Sequence, residues 1–144
     1  MTKINWPALK QAAKQATLQA YAPYSHFPVG VAVLASSGKI YIGCNVESAS
    51  YGATVCAERN AIAAAVVAGE REFKALLVYT PQTDLTPPCG ICRQVIAEFF
   101  LPSTPVASCN HLEQQQTWTL AELLPAAFTP KHLDNSEKIG VIKA

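Results

Sequence analysis

Cys89 and Cys92 lie three residues apart in PPCGICRQV (87–95), directly behind a pair of prolines. A Cys-x-x-Cys is either a redox dithiol or half of a metal site. At the start of a helix, sulfurs at i and i+3 project from one face and can share a metal. Helix N-termini also favour the thiolate, which is the ligating form. The prolines suit such a start, because the donors they lack would have no helical partner there. A thioredoxin-like redox pair usually follows an early strand, so metal binding is the preferred chemistry.

A third thiol stands in Cys56-Ala57-Glu58, again at a predicted helix start. Three thiolates from two helix N-termini would hold Zn²⁺. A structural zinc site closes with four protein ligands, whereas a catalytic one leaves the fourth position to water. The candidates for a fourth ligand are Cys44, Cys109, His26, His111 and His132, none paired with another ligand at short spacing. Cys44 and Cys109 end predicted strands and read as buried thiols. The histidines fall in turn-like or polar stretches and read as surface residues. An open site is favoured, with water fourth.

Glu58 selects the chemistry. It opens an otherwise apolar helix, where an unpartnered carboxylate is costly. A zinc-activated water that needs a proton acceptor would reward its burial. Arg59 poses the same problem with a complementary answer: three thiolates and a hydroxide leave the zinc site negative, and a guanidinium donating to a ligand sulfur offsets this.

These groups need a scaffold. Asn5 and Pro7 signal a helix start, and Leu9, Ala12, Ala13, Ala16 and Ala20 form a small-residue stripe that should end before Pro23. VGVAVLASSGKIYIGCNVE (29–47) holds two apolar runs around Ser36-Ser37-Gly38-Lys39, a β-hairpin signal. TVCAERNAIAAAVVAG (54–69) reads as a helix closed by Gly69, with its 62–68 segment apolar all round and expected to be covered on every side. ALLVYT (75–80) is a buried strand, CGICRQVIAEFF (89–100) a helix stopped by Pro102, and PVASC (105–109) a short strand. TWTLAELLP (117–125) is an extended entry into a short terminal helix. The order predicts an α/β layered domain with an antiparallel first strand pair and parallel later crossovers.

The 144 residues form a single domain, with a core over about 5–128 and a polar tail at 129–144 that is either an ordered arm or a frayed end. With 50% hydrophobic and 15% charged residues the chain is globular. A net charge of +1 with scattered basic residues argues against nucleic acid and for a small neutral ligand. The longest apolar run, AIAAAVVA (61–68), is too short to cross a bilayer, and no leader is visible, so the expected location is cytoplasmic. Five cysteines, an odd number, suit thiolate or metal chemistry better than a disulfide framework.

Four ordered motifs carry a resemblance: YSHFPVG (24–30), NVESASY (45–51), CAER (56–59) and PCGICRQ (88–94). C56-A57-E58…P88-C89-x-x-C92 is the three-cysteine form of the zinc deaminase signature. From about Tyr21 to Phe128 the sequence resembles the small, three-cysteine cytidine deaminases of the cytidine/deoxycytidylate deaminase superfamily. The resemblance implies a three-layer α-β-α sandwich on a mixed five-stranded sheet and hydrolysis of cytidine or deoxycytidine to uridine or deoxyuridine and ammonia, as in pyrimidine salvage. It implies Cys56, Cys89 and Cys92 as ligands of one zinc per subunit, with Glu58 as proton shuttle. Phe27 would pack near the pyrimidine, Asn45 and Glu47 would bind the ribose 3′-hydroxyl, and the backbone around Ala57 and Cys89 would read the base edge. A homotetramer is also implied, in which Tyr51 and Phe128 complete a neighbour's site. Taken alone, Phe27 and Tyr51 read as core aromatics, Asn45 as a turn cap and Glu47 as a solvated charge. Ser48 and Ile91 depart from the Asn and Ala common in the family, and neither is a ligand.

Three rival readings stand beside this one. A deaminase of a cytosine-containing antibiotic of the blasticidin type shares the zinc motifs, although Asn45 and Glu47 favour an ordinary nucleoside. A zinc-stabilised binding module requires a fourth protein ligand. A polynucleotide deaminase requires a basic, aromatic-lined groove, which is missing from this sequence.

Overall fold

A computed structural model describes residues 3–134. Helix α1 spans Trp6–Thr17, and the Asn5 carboxamide caps it by accepting the Ala8 N–H at 3.1 Å. Leu9, Ala13 and Ala16 of the small-residue stripe are buried, while Ala12 and Ala20 are half-buried. The helix stops well before Pro23. Tyr21 instead pairs with Val46 and donates its N–H to the Asn45 carbonyl, which draws the chain out of the helix.

Strands β1 (Gly30–Ala35) and β2 (Ile40–Cys44) form the expected hairpin, and Gly38 takes the positive φ of +93° that its turn requires. Helix α2 (Ala57–Val67) begins three residues later than expected. The Thr54 hydroxyl accepts the Ser48 N–H, and Val55 pairs with Val46, so the chain before Cys56 stays extended. The helix closes as expected. Gly69, at φ +99°, donates to the Val66 carbonyl and Glu70 to that of Ala65, the two bonds of a Schellman cap.

Strand β3 (Phe73–Thr80), helix α3 (Gly90–Phe99) and strand β4 (Pro105–Asn110) follow, then strand β5 (Gln115–Thr119) and a single-turn helix α4 (Leu120–Leu123). The sheet order is β2-β1-β3-β4-β5. Only β3 and β4 pair in parallel; β3 runs antiparallel to β1, and β5 antiparallel to β4. Both helical crossovers join parallel strands as expected, β2 to β3 through α2 and β3 to β4 through α3. The α2 crossover carries the chain over β1, so the neighbour of β3 on that side is the antiparallel β1 and not β2. The 117–125 stretch is more than an extended entry: its first part is the fifth strand. The Asn110 carboxamide builds the intervening turn by accepting the Leu112 and Gln114 N–H groups.

Alternation divides the core into two layers. Ala32, Leu77, Tyr79, Ala107 and Cys109 face α1, while Val31, Val33, Leu76, Val78 and Val106 face α2, α3 and α4. The three-layer α-β-α arrangement on a mixed five-stranded sheet follows. In the 61–68 run Ala61, Ile62 and Ala65 are buried, whereas Ala63, Ala64, Val67 and Ala68 are exposed on this chain, Val67 at 90%. One side of α2 packs on the sheet, and among the described residues nothing covers the other. No helix of the described residues is long and apolar enough to cross a membrane. Of the predicted tail, 135–144 lie outside the described residues, and Pro130–Leu133 forms a short 3₁₀ turn.

Candidate active site and metal centre

Two helices begin at the same place. Cys56 occupies the N-cap of α2 and Cys89 that of α3, and Cys92 is on the first turn of α3. Neither capping cysteine bonds its own helix's first-turn N–H groups. Those donors, with the positive ends of two helix dipoles, remain available to favour anionic sulfur. The Cys56 and Cys89 sulfurs are 3.9 Å apart, and all three sulfurs lie within 4.8 Å of one another. A tetrahedral zinc with Zn–S bonds of about 2.3 Å spaces its sulfurs about 3.8 Å apart, so the donors fit the ion in type and spacing.

Among the described residues, neither Cys44, Cys109 nor a histidine joins this cluster. Cys109 is buried on the α1 side of the sheet, where burial pushes its thiol up to about 11, and burial also raises Cys44. His26, His111 and His132 are exposed. The fourth protein ligand required of a binding module therefore finds no candidate among them.

The three thiols polarise one another. A hydrogen bond from Cys92, aided by Arg59, lowers Cys56 to about 5. Cys92 is driven upward by its bond to the Cys56 thiolate and by burial. Arg59 has the expected posture: Nη2 donates to the Cys56 sulfur at 3.7 Å and to the Thr54 carbonyl at 3.3 Å. Glu58 lies one residue into α2 beside it and is 5% exposed. No ion pair reaches its carboxylate among the described residues. Burial raises its pKa, and the Cys56 charge adds to this. A carboxyl so placed takes up a proton more readily than one in water.

The first turn of α2 is held against β2 by close packing. A Cβ on Gly43 would lie 2.3 Å from the Ala61 nitrogen and 2.6 Å from the Ala57 oxygen, so only glycine permits the approach. The Asn60 carboxamide donates to the Cys44 carbonyl at 2.8 Å, joining the helix to the end of the same strand.

A cavity of about 320 Å³ opens beside the cluster, lined by Phe27, Asn45, Glu47, Cys56, Ala57, Glu58 and Cys89 among others. Five residues singled out from sequence for substrate or chemistry thus share one wall with two cysteines of the cluster. Asn45 and Glu47 do more than line it. Asn45 Oδ1 accepts the Val29 N–H at 2.9 Å, and its Nδ2 donates to the Phe27 carbonyl at 2.9 Å. Glu47 accepts the Tyr24 and Ser25 N–H groups at 3.0 and 3.1 Å and the Ser25 hydroxyl. These bonds, the Ser25 hydroxyl's foremost, hold its carboxyl below the usual range. Neither bland reading, turn cap or solvated charge, survives: both residues clamp the 24–29 loop.

Tyr51 stands 75% exposed in an outer hollow with Tyr24, and the two rings meet edge-on at 5.7 Å. Phe128 does not line this chain's cavity. It is 55% exposed, stacked on His132 with ring centroids 5.3 Å apart. Among the lining residues that sequence reasoning missed are Ser25, Val29, Thr54 and Thr86. Each lies within or next to a quoted motif, and that adjacency was the available signal. The Ser48 departure is absorbed locally, since its hydroxyl accepts the Ser50 N–H.

The same arrangement recurs in known proteins. A family model for the cytidine and deoxycytidylate deaminase zinc-binding region matches residues 6–108. A cytidine deaminase of Sporosarcina psychrophila is 50% identical over 121 residues, covering 84% of this chain and 89% of that protein. Another, of Halalkalibacterium halodurans, is 43% identical over 127 residues, covering 88% and 96%. The crystal structure of cytidine deaminase from Burkholderia pseudomallei superposes with a TM-score of 0.83 at 43% identity, covering 87% of this chain and all (100%) of that one. Three sulfurs at two helix starts, a buried glutamate beside them and this degree of likeness lead to one conclusion: the chain belongs to the zinc-dependent cytidine and deoxycytidylate deaminase family.

Proposed function

We propose that the protein hydrolyses cytidine or deoxycytidine to uridine or deoxyuridine with release of ammonia. The observation that carries this reading is Glu58, buried between a three-thiol cluster and a cavity walled by Phe27, Asn45 and Glu47. Relatives named cytidine deaminase, similar over most of the chain, support it.

Cys56, Cys89 and Cys92 hold one zinc per chain, which when bound supplies the electrophilic activation that makes water a nucleophile near neutral pH. Glu58 does the proton work. It accepts a proton from the attacking water and passes it to ring N3 as the C4–O bond forms. It then takes the second proton from the new C4 hydroxyl, which becomes the carbonyl, and delivers it to the departing amine as the C4–N bond breaks. Water is consumed, ammonia leaves, and Glu58 returns to its starting state. Arg59 tempers the charge of the thiolates through Cys56. Phe27 packs on the pyrimidine, the backbone at Ala57 and Cys89 reads its edge, and Asn45 and Glu47 present their remaining polar capacity to the ribose 3′-hydroxyl.

The assembly is a homotetramer in which Tyr51 and Phe128 complete a neighbouring copy's site. The apolar face of α2 left exposed among the described residues and the exposure of both rings support this. The enzyme acts in the cytoplasm, in pyrimidine salvage.

Glu58→Gln tests the chemistry. The variant retains one zinc per chain and loses at least about 10²–10⁴-fold in ammonia release from cytidine. Undiminished turnover would remove Glu58 from the mechanism, and turnover of a blasticidin-type antibiotic in place of cytidine would change the substrate.

A further inference from the structure

The PCGICRQ motif continues past its cysteines into two side chains that the reaction does not use. Arg93 Nε donates to the Pro88 carbonyl at 2.8 Å, directly before ligand Cys89. Its Nη1 donates to the Leu123 carbonyl at 2.8 Å, the last residue of α4. Gln94 Nε2 donates to the Phe128 carbonyl at 2.9 Å. Adjacent residues of the metal-binding helix thus grip both ends of the 123–128 segment, and one of them also holds the ligand loop.

Between the grips the backbone does not hold its own course. Leu124 still donates to Leu120, but Pro125 has no donor, and Ala126 has a φ of +52°. A non-glycine residue in the left-handed region persists where its surroundings impose it. The segment ends on the half-exposed Phe128 ring, already stacked on His132. An exposed aromatic fixed at backbone and ring is pre-ordered for contact, and pre-ordering lowers what binding must spend on conformational freedom.

We infer that Gln94 is a positioning residue: through the Phe128 carbonyl it sets the place of the Phe128 ring, while Arg93 keeps that segment in register with the Cys89 loop. The inference rests on the reading that Phe128 contributes to a substrate site. It gives the last two residues of the motif a task separate from metal binding, namely transmitting the position of α3 to a substrate-contacting ring.

A double-mutant cycle on the zinc-loaded enzyme tests it, with Gln94→Met, Phe128→Ala and the pair, reading kcat, KM for cytidine and zinc content. Phe128→Ala is expected to raise KM about tenfold, and Gln94→Met about threefold with kcat and zinc unchanged, the signature of lost binding rather than lost chemistry. In the Phe128→Ala background Gln94→Met then adds nothing, because its effect passes through the missing ring. Gln94→Glu, which sets a carboxylate against the carbonyl, is expected to raise KM at least as much. A silent Gln94→Met beside an effective Phe128→Ala overturns the inference alone, as do two effects that simply multiply. A silent Phe128→Ala overturns the reading of Phe128 and the inference with it.

Discussion

The three-thiol cluster and the loops that border its cavity are built by different means. In the cluster, three sulfurs arrive on two helix starts, and α2 is seated against β2 backbone to backbone through Gly43. Ala57, Glu58 and Cys92 are all buried there. The loops at 24–29 and 45–54 are held instead by side chains reaching to backbone: Asn45 to Phe27 and Val29, Glu47 to Tyr24 and Ser25, Thr54 to Ser48. Their outer residues, Tyr24, Ser25 and Tyr51, are exposed. Chemistry that tolerates little displacement rests on packed regular structure. Recognition that must admit and release a ligand rests on polar clamps that can be remade singly.

Gly43→Ala is the hardest blow to the first region. The added Cβ meets backbone atoms of α2, so the helix itself must shift. Overpacking of this kind costs about 1–3 kcal/mol or more, and a displacement near 1 Å at a catalytic group can cost about 10²-fold in kcat. Thermal unfolding, zinc content and kcat should all fall. Normal zinc content and kcat would mean that close packing does not set the centre.

Asn45→Ala strikes the second region. It strands the Val29 N–H and the Phe27 carbonyl, a loss of about 1–3 kcal/mol. Expressed in binding, that is a KM raised about tenfold or more, with zinc content untouched. Zinc lost in step with KM would show that the two regions are not separable.

The smallest effect is a titration. Hydrogen bonds from Ser25 hold the Glu47 carboxyl below its ordinary value of 4.5. A depressed folded pKa means the ionised clamp stabilises the loop above pH 4.5 and is lost as pH falls through the lower folded value. The amide NMR signals of Tyr24 and Ser25 should therefore titrate with a midpoint below 4.5, and Glu47→Gln should abolish that titration. A wild-type midpoint at or above 4.5 would mean that the carboxylate is not held.

The strength of sequence reading varied with the range of the interaction. Asn5, Gly38 and Gly69 announced a helix start, a turn and a helix end, because each acts within a few residues of itself. The start of the 54–69 helix was less legible. The fold spends the Thr54 hydroxyl on Ser48 and starts the helix at a cysteine whose side chain caps nothing. Asn45 and Glu47 were picked out by motif, but that both are loop clamps depends on partners 16 to 23 residues away. The same limit applied to β3, whose neighbour could not be read without knowing which strand occupied the edge.

What the sequence determined by itself was the chemistry available: two cysteines one helical turn apart, a third beside a glutamate, and a guanidinium next in line. Side-chain periodicity along a helix is a local property, and those spacings decide which groups share a face. What only the tertiary structure decided was their convergence. Cys56 and Cys89 are 33 residues apart in the chain yet 3.9 Å apart at sulfur, because the sheet order β2-β1-β3-β4-β5 sets two helix starts side by side. Gly43 against Ala61, Gln94 against Phe128 and the side of α2 that packs on the sheet belong to the same class. Each depends on which distant segment packs where, and that is settled by burying the whole core at once.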